Sequence, residues 1–152
     1  MNRVMLYIED DDNNISLVQA LLKRRPQIEL LVAMNGRDGI QAAIDKQPRL
    51  ILLDNRLPDA TGSEILAELA SLPATAAIPV VVLSSDSDDV IAQLVAEGAA
   101  EAVPKPFDIH QFMAMIDRYL PLPPKVSGDE LGFRKCQATS SDSPVKASQR
   151  EA

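Results

Sequence analysis

Short apolar runs alternate with longer stretches of helical period through about the first 120 residues of the chain. The runs near 3–8, 28–33, 49–53, 79–84 and 101–104 are rich in Val, Ile and Leu and predict strands. Between them, 12–25, 36–46, 62–71, 87–97 and 108–119 predict helices. Ile15, Val18 and Leu22 recur at i, i+3 and i+7, which gives the first helix one apolar stripe. Ile40, Ala43 and Ile44 do the same for the second. Strictly alternating strands and helices imply repeated βα units. The third run is apolar at every position from Leu50 to Leu53, as a central strand covered on both faces must be. The expected fold is therefore α/β: five βα units wound on both sides of a five-stranded parallel sheet, a three-layer sandwich.

Helix starts add local signals, because side-chain oxygens can accept from the first unpaired backbone N–H groups. Asp108 with Gln111 reads as a capping box, Asn35 with Asp38 as a weaker one, and Ser85 with Asp88 as a third. Asp11 and Asp12 suit the positive end of the first helix. After Leu120 the run Pro121-Leu122-Pro123-Pro124 cannot continue a helix. This divides the chain into a folded domain, 1–121, and a Pro-rich linker with a polar tail, 122–152. Val126, Leu131, Phe133 and Val145 are too few to bury a core, so the tail is expected to be disordered. Leu131 and Phe133 beside Arg134 and Lys135 leave open a short partner-binding segment.

Composition narrows the function classes. With 3% aromatic residues and no Trp, the core must be aliphatic. Cys136 is the sole cysteine, which excludes an intramolecular disulfide and a cysteine zinc site. Residues 1–124 hold 10 Lys/Arg against 18 Asp/Glu, a net charge of −8, so nucleic acid is not an expected partner. No run reaches the roughly 18 apolar residues of a membrane span, and no signal-peptide pattern opens the chain. A cytoplasmic location is expected.

The chemistry gathers at strand ends. Glu9 and Asp10 follow the first strand, Asp54 ends the third, Ser84 and Ser85 close the fourth, and Lys105 follows the fifth between Pro104 and Pro106. In a parallel sheet those ends share one edge. Carboxylates brought together there repel one another without a cation, and a hard divalent ion such as Mg2+ fits oxygen ligands of this kind. Asp54 is either a strand-end residue capping its turn or a nucleophile toward phosphorus, and Lys105 offers charge for the second role. A Lys105-Pro106 bond in the cis form would aim the ammonium group over the sheet edge. No Ser-His pairing accompanies Ser84, and His110, the only histidine, is expected to face solvent.

The set Glu9, Asp10, Asp54, Ser84 and Lys105 resembles the receiver domain of bacterial two-component response regulators, the CheY-like superfamily with its flavodoxin-like fold. The most specific stretches are Leu53 to Gly62 and Gly98 to Phe107. The resemblance implies that Asp54 accepts a phosphoryl group from a phosphohistidine on a histidine kinase or histidine phosphotransfer protein. It implies that Glu9, Asp10, Asp54 and the backbone carbonyl of Arg56 hold Mg2+, that Ser84 bonds the phosphoryl group, and that Lys105 pairs with its charge. Self-phosphorylation and autodephosphorylation are the only chemistry implied. Output would pass to a downstream protein through the surface of the fourth helix, fifth strand and fifth helix, a face that also leaves a homodimer open.

Two departures stand out. Ala102 occupies the strand-five position that is often Tyr or Phe in the family, which leaves switching to Ser84 and its loop. Arg56 and Asp86 hold the positions that tune phosphoryl lifetime. The expectation is a single-domain regulator, since no output domain follows Pro124. A haloacid-dehalogenase-type phosphohydrolase is disfavoured because Arg56 stands where its second acid belongs. A degenerate receiver acting only as a binding module is disfavoured by the complete acid, Ser and Lys set.

Overall fold

The computed structural model describes residues 3–121. The expected tail, with Leu131, Phe133 and Cys136, lies outside them. The elements run β1 (Val4–Ile8), α1 (Asp12–Leu22), β2 (Glu29–Ala33), α2 (Gly36–Lys46), β3 (Leu50–Asp54), α3 (Gly62–Ser71), β4 (Val80–Ser84), α4 (Asp88–Ala96), β5 (Glu101–Pro104) and α5 (Ile109–Tyr119). All strands are parallel, in the order β2-β1-β3-β4-β5.

Strand alternation sorts the apolar residues into two cores. Met5, Tyr7, Leu50, Leu52, Val81 and Leu83 face Ile15, Val18 and Leu22 of α1 and Phe112, Met113 and Ile116 of α5. Leu6, Ile8, Ile51, Leu53, Val80 and Val82 face Ile40 and Ala43 of α2, Ile65, Leu66 and Leu69 of α3, and Leu94 of α4. Each interior strand must therefore be apolar at consecutive positions. β3 and β4 are buried throughout, whereas the edge strands β2 and β5 are only partly covered.

Boundaries moved where local chemistry opposed the periodic pattern. α1 stops at Leu22, short of the expected 25, and the N–H groups of Arg24 and Arg25 bond back to Leu21 O and Leu22 O in tighter turns. Pro26 follows and disfavours helical geometry at Arg25. Asp11, Asn35 and Asp108 cap α1, α2 and α5 through the N–H groups of Asn13, Asp38 and Gln111. The expected Ser85–Asp88 cap does not form: α4 begins behind Ser87, whose side chain makes no cap bond. Among the described residues, a reciprocal capping box forms instead between Thr61 and Glu64 at α3, a pairing that the pattern reading passed over. The turn between α4 and β5 passes through Gly98 at φ +121°, a conformation that side chains rarely adopt.

Candidate functional site

The strand order reverses between β1 and β3, so the crevice beyond their carboxyl ends is where a doubly wound sheet places a ligand. Glu9 extends the β1 ladder by donating its N–H to Ala33 O at 2.9 Å, and its side chain is fully buried. Asp10 stands beside it, exposed. Asp54, the last residue of β3 and 8% exposed, meets them: ligand atoms of Glu9, Asp10 and Asp54 lie within 4.8 Å of one another.

Lys105 faces this cluster. Its backbone N–H bonds Ser84 O at 2.8 Å, which ties the segment after β5 to the end of β4. Its Nζ lies 2.9 Å from Asp54 Oδ1 and 3.7 Å from Glu9 Oε1. The Lys105-Pro106 peptide bond is cis.

One ammonium group between two buried carboxylates leaves the charge unbalanced. Burial pushes the Glu9 carboxyl above the usual carboxylate range, and the charge of Asp54 adds to the rise. The Tyr7 hydroxyl and Lys105 act in the opposite direction. The excess of closely spaced oxygen donors fits a hard divalent cation, with one or two carboxylates as direct ligands.

Ser84 is buried at the end of β4, but its hydroxyl is committed to Asp86. It donates to Asp86 Oδ2 at 2.9 Å and accepts from the Asp86 N–H at 3.0 Å. Asn55 Nδ2 donates to the same Asp86 oxygen at 2.7 Å, and the Arg56 guanidinium pairs with Asp86 Oδ1. These partners, Arg56 foremost, hold the Asp86 carboxyl below the ordinary range. Arg56 and Asp86, both singled out in the sequence, are thus in direct contact.

The β3–α3 turn that carries Arg56 is itself fastened. Leu57 N–H bonds Ala60 O at 3.1 Å and Gly62 N–H bonds Asn55 O at 2.9 Å. A Cβ on Gly62 would come within 2.5 Å of Asn55 Oδ1, so no larger residue fits there without displacing the Asn55 side chain. Asp59 accepts from the N–H groups of Gly36 and Arg37 at 2.7 and 3.0 Å, which caps α2 from across the site.

Of the residues picked out from the sequence, Glu9, Asp10, Asp54 and Lys105 come together, and Ser84 turns toward Asp86. His110 is exposed in the first turn of α5, as expected. Asn55, Asn14 and Tyr7 were missed. For Tyr7 the signal was present, since it lies two residues before Glu9 on the same strand face.

Residues 5–117 match the family model described as the response regulator receiver domain. The DNA-binding transcriptional regulator NtrC of Escherichia coli is 28% identical over 119 residues, which are 78% of this chain and 25% of NtrC. The chain thus spans about a quarter of that relative's length. The response regulator Rcp1 of Synechocystis is 40% identical over 102 residues, 59% of this chain and 68% of Rcp1. The Mn2+-bound structure of Rcp1 matches with a TM-score of 0.66 at 28% identity, covering 80% of this chain and 97% of that one. The phosphorylated cyanobacterial phytochrome response regulator RcpA matches with a TM-score of 0.67 at 27% identity, covering 80% and 96%.

Proposed function

Because the chain belongs to the response regulator receiver domain family of two-component signalling, we propose that Asp54 is its phosphoacceptor and that Glu9, Asp10, Asp54 and the Arg56 carbonyl form its Mg2+ site. The observation that carries this reading is the convergence of three acids within 4.8 Å with Lys105 Nζ 2.9 Å from Asp54. The Mn2+-bound form of Rcp1 and the phosphorylated form of RcpA support it by likeness.

In the transfer, an Asp54 carboxylate oxygen attacks the phosphorus of a phosphohistidine. The new P–O bond makes an acyl phosphate as the P–N bond breaks, and the imidazole nitrogen keeps the electron pair. Bound Mg2+ would neutralise charge on the phosphoryl oxygens and on the acids around them. Lys105 is placed to pair with the added charge, and Asp10, the exposed acid, lies on the open side of the cluster. Ser84 reaches the phosphoryl group by giving up its bond to Asp86, and this exchange couples the phosphorylated site to the loop that begins α4. Water attacking the phosphorus later breaks the acyl P–O bond, releasing inorganic phosphate and restoring the Asp54 carboxylate.

The donor is a histidine kinase or histidine phosphotransfer protein and the recipient of the signal a protein partner, in the cytoplasm. No helix among the described residues is long and apolar enough to cross a membrane. The receiver unit is proposed to close at Pro121.

Incubation with acetyl phosphate or phosphoramidate and Mg2+ is expected to add one phosphoryl group by intact-mass spectrometry. Asp54→Asn or removal of Mg2+ with EDTA abolishes it. No addition to the unsubstituted chain would leave a binding module as the better reading.

A further inference from the structure

Tyr7 plays no part in the transfer chemistry, yet its hydroxyl lies in the wall of the site. Tyr7 and Glu9 are 1% and 0% exposed, and the hydroxyl donates to Glu9 Oε1 at 2.9 Å. Asn14 Nδ2 donates to the same oxygen at 3.2 Å, and Lys105 Nζ lies 3.7 Å from it. The other oxygen, Oε2, accepts the backbone N–H of Asp11 at the longer distance of 3.3 Å. The donors around Glu9 are therefore divided unequally. Side-chain donors gather on one oxygen and leave the second with a single weak backbone contact.

We propose that Tyr7 is a positioning residue for the cation site: with Asn14 it binds Glu9 Oε1 and thereby presents Oε2 to the metal ion or to one of its waters. This rests on the Mg2+ site proposed above. The phenol suits the task because its ring belongs to the apolar core that also holds Met5, Leu52 and Phe112. An aliphatic residue at this point of β1 would supply no donor. Glu9, buried and beside Asp54, would then lack a hydrogen bond that stabilises and orients its charged form. Groups that orient ligands in this way typically change metal affinity 10–100-fold when removed.

The test uses the full chain. Tyr7→Phe removes the hydroxyl alone, and Mg2+ titration calorimetry with Mn2+ binding by electron paramagnetic resonance reads the consequence. Affinity is expected to fall about tenfold, while Tyr119→Phe, whose hydroxyl bonds Glu101 at 2.8 Å, binds as the unsubstituted chain does. The chain has two tyrosines and no Trp, so a second readout needs no change at position 7. In Tyr119→Phe, Tyr7 is the sole tyrosine, and Mg2+ is expected to perturb its near-ultraviolet absorbance. Should Tyr7→Phe fail to fold, Asn14→Ala is expected to weaken Mg2+ binding in the same direction by a smaller factor. Wild-type affinity in Tyr7→Phe, or a tyrosine spectrum that ignores saturating Mg2+, overturns the positioning role and leaves the metal site standing. A wild-type chain that binds neither ion overturns the metal site itself.

Discussion

At the scale of single residues, Lys105 shows how one charge holds a site together before any ligand arrives. Its ammonium group lies 2.9 Å from the Asp54 carboxylate and 3.7 Å from the Glu9 carboxylate, and its side chain is only 21% exposed, so solvent screens the contact weakly. Lys105→Met leaves two buried acids facing each other. The metal-free protein is expected to lose about 1–3 kcal/mol of stability, measured by urea unfolding in EDTA, with part of the loss recovered on adding Mg2+. An unchanged midpoint would mean that the Lys105 contacts carry no net stability. That Lys105 faces the acids was legible from its place after the fifth strand. The engagement of Ser84 with Asp86 was not, because a serine at a strand end has several acceptors within reach and only coordinates choose among them.

Among the elements, helix starts separate what pattern can show from what it cannot. Asp11, Asn35 and Asp108 were readable as caps because each stands at the boundary between a loop and a periodic segment. Ser85 failed since α4 starts later, and its own N-terminal residue, Ser87, makes no side-chain cap. Thr61–Glu64 went unread because it is embedded in the turn that follows Asp54, where the same residues also suit a turn. Thr61 Oγ1 accepts from the Glu64 N–H, and the Glu64 carboxylate accepts from the Thr61 N–H at 2.9 Å. Thr61→Ala is expected to cost about 1 kcal/mol, read as a lowered thermal midpoint. The bridge between Thr61 and Arg56 is made by the backbone, so the substitution should leave Mg2+ affinity unchanged.

For the molecule as a whole, acids at opposite ends of the sheet make stability depend on pH in opposite directions. Glu9 has a folded-state pKa above its unfolded value, so the folded protein binds the proton more tightly. Metal-free stability contributed at this group is present at low pH and falls as pH rises from the unfolded carboxylate range, about 4.3, through the raised folded value. Asp117 is held low by the Arg25 guanidinium, at 2.8 Å, which joins the end of α1 to α5. Its contribution is present above the ordinary carboxylate range and is lost as pH falls through its lowered value. In EDTA, thermal midpoints are therefore expected to decline on both sides of a maximum. Mg2+ should flatten the alkaline limb and leave the acid limb, and equal effects on both limbs would show that Glu9 is not the group responsible.

What the chain determined by itself is the layered fold and the meeting of its chemistry at one edge. Consecutive apolar positions demand strands covered on both faces, helices between them demand parallel pairing, and parallel pairing sends every strand end the same way. The places of Glu9, Asp10, Asp54, Ser84 and Lys105 at strand ends follow from that logic. Only the tertiary structure decided which hydroxyl meets which carboxylate: Ser84 with Asp86, Tyr7 with Glu9, Arg56 across to Asp86. Those choices are made by differences of an ångström or so between elements far apart in the chain. Hydrophobic period sets the face a side chain occupies, but hydrogen bonding is short-ranged and directional, so its pairings are settled after the layers have packed.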